Sequence, residues 1–131
     1  MDKAKPFDAY FVDESLSDHQ CALMQATRRI VHELYPAVVE RVSYAMPGFY
    51  PAGSTKATQQ LFFVMAAKQH LGIYGTFGID EAVIHSFESF GVQSAKGSLR
   101  VPYDIPVDAF ERLLSAVITY NLGRFEQNAG H

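Results

Sequence analysis

Apolar and polar residues follow patterns along the chain that predict a sheet with helices before and after it. The clearest pattern is in residues 60–75, where two apolar runs are separated by residues 68–70 (Lys-Gln-His), as is typical of an antiparallel hairpin. Residues 61–65 are apolar at every position, so we expect that strand to be covered on both faces in the middle of the sheet. In the second strand, alternation places Leu71 and Ile73 on one face and His70, Gly72 and Tyr74 on the other.

Helical patterns occur in four other segments, which cover residues 6–12, 17–35, 78–91 and 106–120. The second begins with the Ser-x-x-Gln spacing of a capping box at residues 17–20 and is stopped by Pro36. The last begins at Pro106 and is expected to fray into a polar tail from Asn121. The expected buried residues are Leu23, Ala26, Ile30 and Leu34 in the second helix and Ile79, Val83, Phe87 and Phe90 in the third.

Two further segments complete the predicted sheet. Residues 40–46 alternate and predict a first strand, whereas Pro47 and Pro51 lack ladder donors and predict an edge or crossing segment after it. Residues 98–101 predict a short strand with Leu99 and Val101 facing the core. The order of elements predicts an α+β fold in which an antiparallel sheet carries its N- and C-terminal helices mainly on one face. We expect one domain over residues 1–131, with its core at residues 6–122 and short flexible termini.

Composition narrows the class of protein. A chain of 131 residues with 48% hydrophobic and 19% charged residues is typical of one globular domain. A net charge of −3 and the lack of a Lys/Arg cluster argue against nucleic-acid binding. The single cysteine, Cys21, excludes an internal disulfide and is expected to be a small buried thiol. No apolar run approaches the ~18 residues of a membrane span, so we expect no membrane partner and a cytoplasmic location.

The familiar catalytic signatures are missing. The chain has no Gly-x-Ser-x-Gly elbow, no phosphate-binding glycine loop followed by Lys-Ser/Thr, no dinucleotide fingerprint and no His-Glu-x-x-His. An enzyme hypothesis depends only on Lys68, His70 and Tyr74, which would supply a base and an acid in one pocket. The sequence therefore favours a binding or accessory role over catalysis.

A metal hypothesis comes from one predicted helix. Glu81, His85 and Glu88 lie at positions i, i+4 and i+7, and their oxygen and nitrogen donors suit iron or zinc. The competing interpretation is a solvated helix face, because exposed helix faces are normally charged.

The most specific group of residues combines cations from two predicted strands. Lys68, His70 and Tyr74 share a parity, as do Lys96, Ser98 and Arg100 if the chain is extended across Gly97, and Tyr44 would lie beside them. If the two strands are neighbours, these groups gather on one face and would grip a carboxylate or phosphate through Lys96 and Arg100. The competing interpretation is an edge strand protected by lysine and ion-paired with Asp104 or Glu40.

Three segments of the chain resemble the YdhG-like domain family, bacterial proteins largely of unknown function. Residues 43–49 (SYAMPGF) are similar to the family's "SYGMPaF" segment, residues 66–74 (AAKQHLGIY) to "aaxKxHigfY", and residues 94–102 (SAKGSLRVP) to "skGtirfp". A helix begun by a proline follows the third segment, as in the family. The three segments have the order and spacing of the family, and the resemblance covers residues 6–122.

The resemblance implies an α+β fold likened to frataxin, and one branch of the family is described as an intracellular iron chaperone for iron–sulfur cluster and haem assembly. An iron carrier would use Glu81, His85 and Glu88, or surface acids such as Asp13 and Glu14. The preferred hypothesis is a small binding or accessory domain whose partner is a small anionic ligand or another protein. Edge strands and the aromatic residues Phe49, Tyr50 and Tyr103 indicate a monomer or a weak homodimer.

Overall fold

A six-stranded antiparallel sheet forms the centre of the computed structural model, which describes residues 5–129. Its strands are β1 Val39–Ser43, β2 Met46–Tyr50, β3 Phe62–Ala66, β4 Leu71–Tyr74, β5 Gln93–Ala95 and β6 Ser98–Val101. Their order across the sheet is β1-β2-β3-β4-β6-β5, and every neighbouring pair is antiparallel. The expected hairpin is β3–β4, and it lies in the middle of the sheet as predicted.

In residues 5–129, four α-helices accompany the sheet: α1 Ala9–Val12, α2 Asp18–Leu34, α3 Glu81–His85 and α4 Val107–Ala129. The two long helices, α2 and α4, pack on each other and on the central strand β3, which confirms the predicted α+β architecture. Among residues 5–129, none of the helices has the length and apolarity needed to span a membrane. The terminal residues 1–4 and 130–131, which were expected to be flexible, lie outside the described part of the chain.

The helix α2 begins as the sequence predicts. Ser17 Oγ accepts a hydrogen bond from Gln20 N at 3.2 Å, and Gln20 Oε1 accepts one from Ser17 N at 2.8 Å. The predicted buried residues are only partly right, because Leu34 is 37% exposed. The helix instead buries a broader face, which consists of Leu23, Met24, Thr27, Ile30 and Val31. Thr27 is compatible with this apolar face because its hydroxyl donates to Leu23 O at 2.8 Å.

The prediction that residues 47–51 form an edge or crossing segment is wrong. Tyr44 and Ala45 both have φ of 56°, so they form a two-residue hairpin turn and β2 follows at once, between β1 and β3. Pro47 is tolerated because it lies outside the β2–β3 ladder, which pairs Gly48 with Phe63 and Phe49 with Phe62.

Two aromatic residues that were expected to favour self-association lie in this interior strand. Phe49 and Tyr50 are both 0% exposed, so neither side chain is available to a second copy of the chain. The third such residue, Tyr103, is half-buried, and its hydroxyl donates to the backbone of the β3–β4 turn.

The predicted third helix is shorter than expected. Asp80 caps it by accepting from Ala82 N at 2.9 Å, and α3 ends at His85, after which residues 88–90 form a separate 3₁₀ turn. Val83 is therefore 37% exposed, and Ile84 is buried instead. Gly91 ends the segment in the left-handed conformation, with φ of 86°, as predicted.

The polar tail expected after Asn121 is also wrong, because α4 continues to Ala129. The Asn121 side chain is 4% exposed, and its amide donates to Leu61 O at 2.6 Å and to Gly75 O at 3.0 Å. These bonds satisfy carbonyl groups just before β3 and just after β4, so they fix the last helix on the sheet.

Candidate functional site

The face of the sheet away from α2 and α4 carries a different set of side chains from the core face. Cross-strand pairs lie on the same face, so the pairs Phe63–Tyr74, Tyr74–Ser98 and Gly72–Arg100 share one side. We call this side the open face and define it by Tyr50, Phe63, Tyr74, Ser98 and Arg100. The intervening residues, such as Val64, Ile73 and Leu99, point to the opposite side and are buried in the core.

Three aromatic rings lie close over glycines on and beside the open face. A β-carbon on Gly48 would come within 2.8 Å of the Phe63 ring, and one on Gly72 would come within 2.6 Å of the Tyr74 hydroxyl. The Phe77 ring lies in the same way over Gly97, which also has a positive φ of 75°. The glycines leave space for the rings to lie against the backbone, so this side of the sheet has an aromatic surface.

A groove of about 500 Å³ opens between these rings. We call it the aromatic groove; its principal lining residues are Tyr44, Phe63, Tyr74, Phe77, Lys96 and Ser98. The Tyr44 side chain packs edge-on against Phe63 with 5.6 Å between ring centroids, yet it is 65% exposed. Phe77 is 55% exposed, so two of the four rings present much of their surface to solvent.

The electrostatics of the aromatic groove rest on one residue. Lys96 is the only charged residue among those that line it, and no Asp or Glu side chain takes part. Within residues 5–129 no carboxylate lies within ion-pair distance of Lys96 or Arg100. The competing interpretation required Asp104 or Glu40 as their partner, but Glu40 pairs with Arg28 and His32 instead. The positive charge of Lys96 therefore has no counterion from the described protein.

The open face beside the groove is held by a buried tyrosine. The Tyr50 hydroxyl lies 2.9 Å from both Ser43 Oγ and Ala57 O, so it donates to the carbonyl while it accepts from the serine. Its ring packs edge-on against Phe63, with 6.2 Å between centroids. Burial raises the pKa of the Tyr50 hydroxyl, which keeps it protonated as a hydrogen-bond donor. The bond to Ala57 O anchors the segment that contributes Thr58 and Gln60 to the groove lining.

The structure brings together only some of the predicted ligand-binding residues. Tyr44, Tyr74 and Lys96 line the aromatic groove. Arg100 is on the open face opposite Gly72, near the end of the Tyr74 ring. His70 precedes β4, and the exposed Lys68 lies in the β3–β4 turn. Of the three residues in the enzyme hypothesis, Tyr74 lines the aromatic groove, whereas Lys68 and His70 are not among its lining residues.

Lys96 lies at the groove because of a turn, and not because of alternation along an extended strand. The chain is not extended across Gly97; Lys96 and Gly97 form the turn between β5 and β6, so the chain reverses there. The strand β5 was absent from the sequence prediction, because Gln93-Ser94-Ala95 has no apolar alternation and all three residues are exposed. The condition on which the hypothesis depended, that these two strands are neighbours, is met, because β4 pairs with β6.

The metal hypothesis fits the structure poorly. His85 Nδ1 contacts Glu88 Oε1, but α3 ends at His85, so Glu81, His85 and Glu88 are not on one continuous helix. Among residues 5–129 no three His, Cys, Asp or Glu side chains are grouped closely enough to hold a metal ion. Of the other acids considered for iron, Asp13 is engaged by Lys5 and by Ser15 N. Glu81, His85 and Glu88 thus offer one His–Glu contact and, in the described residues, no group of three ligands.

The thiol of Cys21 has a structural environment. It is half-buried, and Sγ donates to Phe11 O at 3.2 Å while it accepts from Gln25 Nε2 at 3.1 Å. These contacts join α2 to the end of α1.

Comparison with known proteins establishes the fold. No family model matches the chain, and no curated protein matches it either. The structure is similar to the crystal structure of YdhG from Bacillus subtilis, a protein of the DUF1801 family, with a TM-score of 0.70 over 88% of this chain and 87% of that one. The chain has a YdhG-like fold. At 17% sequence identity the likeness concerns the fold and gives no support to the frataxin-like and iron-chaperone expectations.

Two residues of the groove, Phe63 and Phe77, were not predicted as site residues. The sequence predicts that Phe63 lies in a strand covered on both faces, and Phe63 is 5% exposed, but it also lines the groove. Phe77 lies between Gly75 and Gly78, and an aromatic residue flanked by glycines after a strand is the signal that would have indicated an exposed ring.

Proposed function

We propose that the chain is a single YdhG-like binding domain whose open face takes a small anionic ligand in the aromatic groove. The observation that carries the proposal is Lys96, a cation without a counterion among residues 5–129, placed beside aromatic rings in a groove that no carboxylate lines. The ligand's negative charge would lie at Lys96, and its apolar part would contact Tyr44 and Tyr74.

Charge complementarity favours this position over the other exposed lysines. At an effective dielectric constant of about 20, two unit charges 4 Å apart attract by about 4 kcal/mol, and desolvation and ordering remove much of that gain. Lys96 and Lys68 are both exposed, but only Lys96 lines the aromatic groove, where the rings offer a bound anion apolar contacts that the β3–β4 turn does not. An anion should therefore bind at Lys96 in preference to Lys68.

A second cation, Arg100, lies on the same open face and also favours an anionic ligand there. Arg100 is paired across the sheet with Gly72, where the hydroxyl end of Tyr74 lies. A ligand with a second acceptor group would extend from Lys96 along Tyr74 toward Arg100. The planar guanidinium suits a carboxylate or phosphate at that end.

The test is an NMR titration of ¹⁵N-labelled protein with acetate in one series and inorganic phosphate in another, at constant ionic strength. We expect localised shifts in residues 74–77 and 96–98. The variant with Lys96→Ala and Arg100→Ala should lose these shifts, and the control Lys68→Ala should keep them. Shifts that persist in the double variant, or that spread evenly over all lysines, would overturn the proposal.

A further inference from the structure

We infer that the aromatic groove selects a planar aromatic monoanion, of the class of aryl carboxylates, over aliphatic anions and over phosphate. The inference rests on the proposed anion-binding function and adds the chemical class of the ligand. It follows from the walls of the groove, its charge and its size.

The walls are aromatic on more than one side. Tyr44 and Phe77 are exposed rings, Tyr74 lies over Gly72, and Phe63 also lines the groove. Aromatic pairs gain about 0.5–1.5 kcal/mol beyond the burial of their area, through offset or edge-on arrangements that a saturated ring cannot make. A flat ring in the groove would form such contacts with several of these side chains at once.

The charge of the groove suits one negative charge. Lys96 supplies a single point charge, and Ser98, which also lines the groove, adds a neutral hydroxyl donor. Phosphate sites usually add an arginine fork or a nest of free backbone amides. Arg100, the arginine of the open face, is not among the residues that line the groove. Here the Gly75 and Thr76 amides already donate to Gly97 O, at 3.0 and 3.2 Å. A carboxylate therefore matches the groove better than a phosphate dianion.

The size of the groove agrees with this class. A volume of about 500 Å³ is within the range of about 300–1,000 Å³ that small-molecule sites occupy. A single ring with a carboxylate fills part of the groove, and its one negative charge is matched by Lys96. The groove lining holds no second cation for the further charges of a larger polyanion, because Arg100 lies on the open face but is not among the lining residues.

The experiment compares four probes by NMR titration of the intact protein: benzoate, cyclohexanecarboxylate, benzamide and inorganic phosphate. Cyclohexanecarboxylate keeps the charge but has no planar ring, and benzamide keeps the ring but has no charge. We expect benzoate to bind about fivefold more tightly than cyclohexanecarboxylate, as one aromatic contact predicts. Benzamide and phosphate should bind more weakly than benzoate.

Two variants test the walls. Phe77→Leu and Tyr44→Leu replace exposed rings, so the fold should be retained, which thermal unfolding checks. Each should reduce the preference for benzoate over cyclohexanecarboxylate. By contrast, Lys96→Met should weaken both carboxylates by a similar factor.

The outcomes separate the inference from the proposed function. Equal binding of the two carboxylates, with both lost in Lys96→Met, would overturn the aromatic class and leave anion binding in place. Tighter binding of phosphate than of benzoate at the groove would do the same. If no anion shifts the groove residues, both the inference and the proposed function are wrong.

Discussion

Two neighbouring rows of residues cross the same three strands and have opposite characters. Val64, Ile73 and Leu99 form one row, are at most 1% exposed and lie in the core. The next row, one residue along, is Phe63, Tyr74 and Ser98, which line the aromatic groove. Because side chains alternate along a strand, one set of strands supplies both the core and the candidate site. Substitutions in the two rows should therefore affect different properties, unfolding in the first and ligand binding in the second.

The largest expected effect is in the core row. Ile73→Ala removes a side chain that is 0% exposed, so it should lower the free energy of unfolding by about 2–5 kcal/mol. Urea unfolding followed by circular dichroism measures the change. The matched substitution Tyr74→Leu, at the adjacent position on the open face, should cost less and weaken anion binding instead. Equal losses of stability in the two variants would contradict the division between the rows.

This division could be predicted from the sequence for β4 because alternation is a local property. The strand alternates with period 2, because successive side chains point to opposite faces of a sheet. In the structure Leu71 and Ile73 are buried in the core, and Gly72 and Tyr74 lie on the other face. The capping box at Ser17 is equally local and is present. Such features need no knowledge of distant contacts.

The turns that complete the groove could not be predicted in the same way. A two-residue hairpin turn usually contains Asn or Gly, but Tyr44 and Ala45 adopt positive φ here without either. β5 has no apolar residue pattern, so the sequence does not indicate the reversal of the chain at Lys96 and Gly97. Which residues line the groove thus depends on how the strands pair, and the propensities of single residues do not determine that pairing.

An intermediate effect is expected where the two sides of the sheet are joined. Asn121, on the helix α4, donates to Leu61 O and Gly75 O, and Gly75 also lines the groove. Asn121→Ala leaves both carbonyls without this donor and should cost about 1–3 kcal/mol. Urea unfolding measures the stability, and the benzoate titration should also show weaker binding. Loss of stability with unchanged affinity would show that the helix does not position the groove.

A smaller, pH-dependent effect is expected away from both rows, at the ion pairs between α2 and β1. Burial raises the pKa of the Glu40 carboxyl, but hydrogen bonds from Arg28 and His32 outweigh burial, so its pKa is below the ordinary 4.5. A carboxyl with a lowered pKa stabilises the fold above its unfolded pKa, and that contribution is lost as pH falls from about 4.5 through the folded value.

The Glu40 prediction is tested with Glu40→Gln. At pH 7 the variant should be less stable than the unsubstituted protein by about 1 kcal/mol, and the difference should shrink when urea unfolding is repeated near pH 3. The exposed Glu111→Gln on α4 is the control and should show little difference at either pH. A Glu40→Gln difference that is the same at both pH values would contradict the pKa assignment.

The smallest expected effect on stability belongs to Lys96, and it accompanies the largest expected effect on binding. Lys96→Met replaces an exposed side chain, so its free energy of unfolding should change by no more than about 0.5 kcal/mol. Lys68→Met is the matched control, because it removes the same charge from an exposed turn outside the groove.

The affinity of benzoate for these two variants tests the account most directly. With loss of the charged contact worth about 1.4 kcal/mol, Lys96→Met should bind benzoate about tenfold more weakly, and Lys68→Met should bind within about twofold of the unsubstituted protein. Equal affinities in the two variants would contradict the claim that the aromatic groove binds its ligand through Lys96.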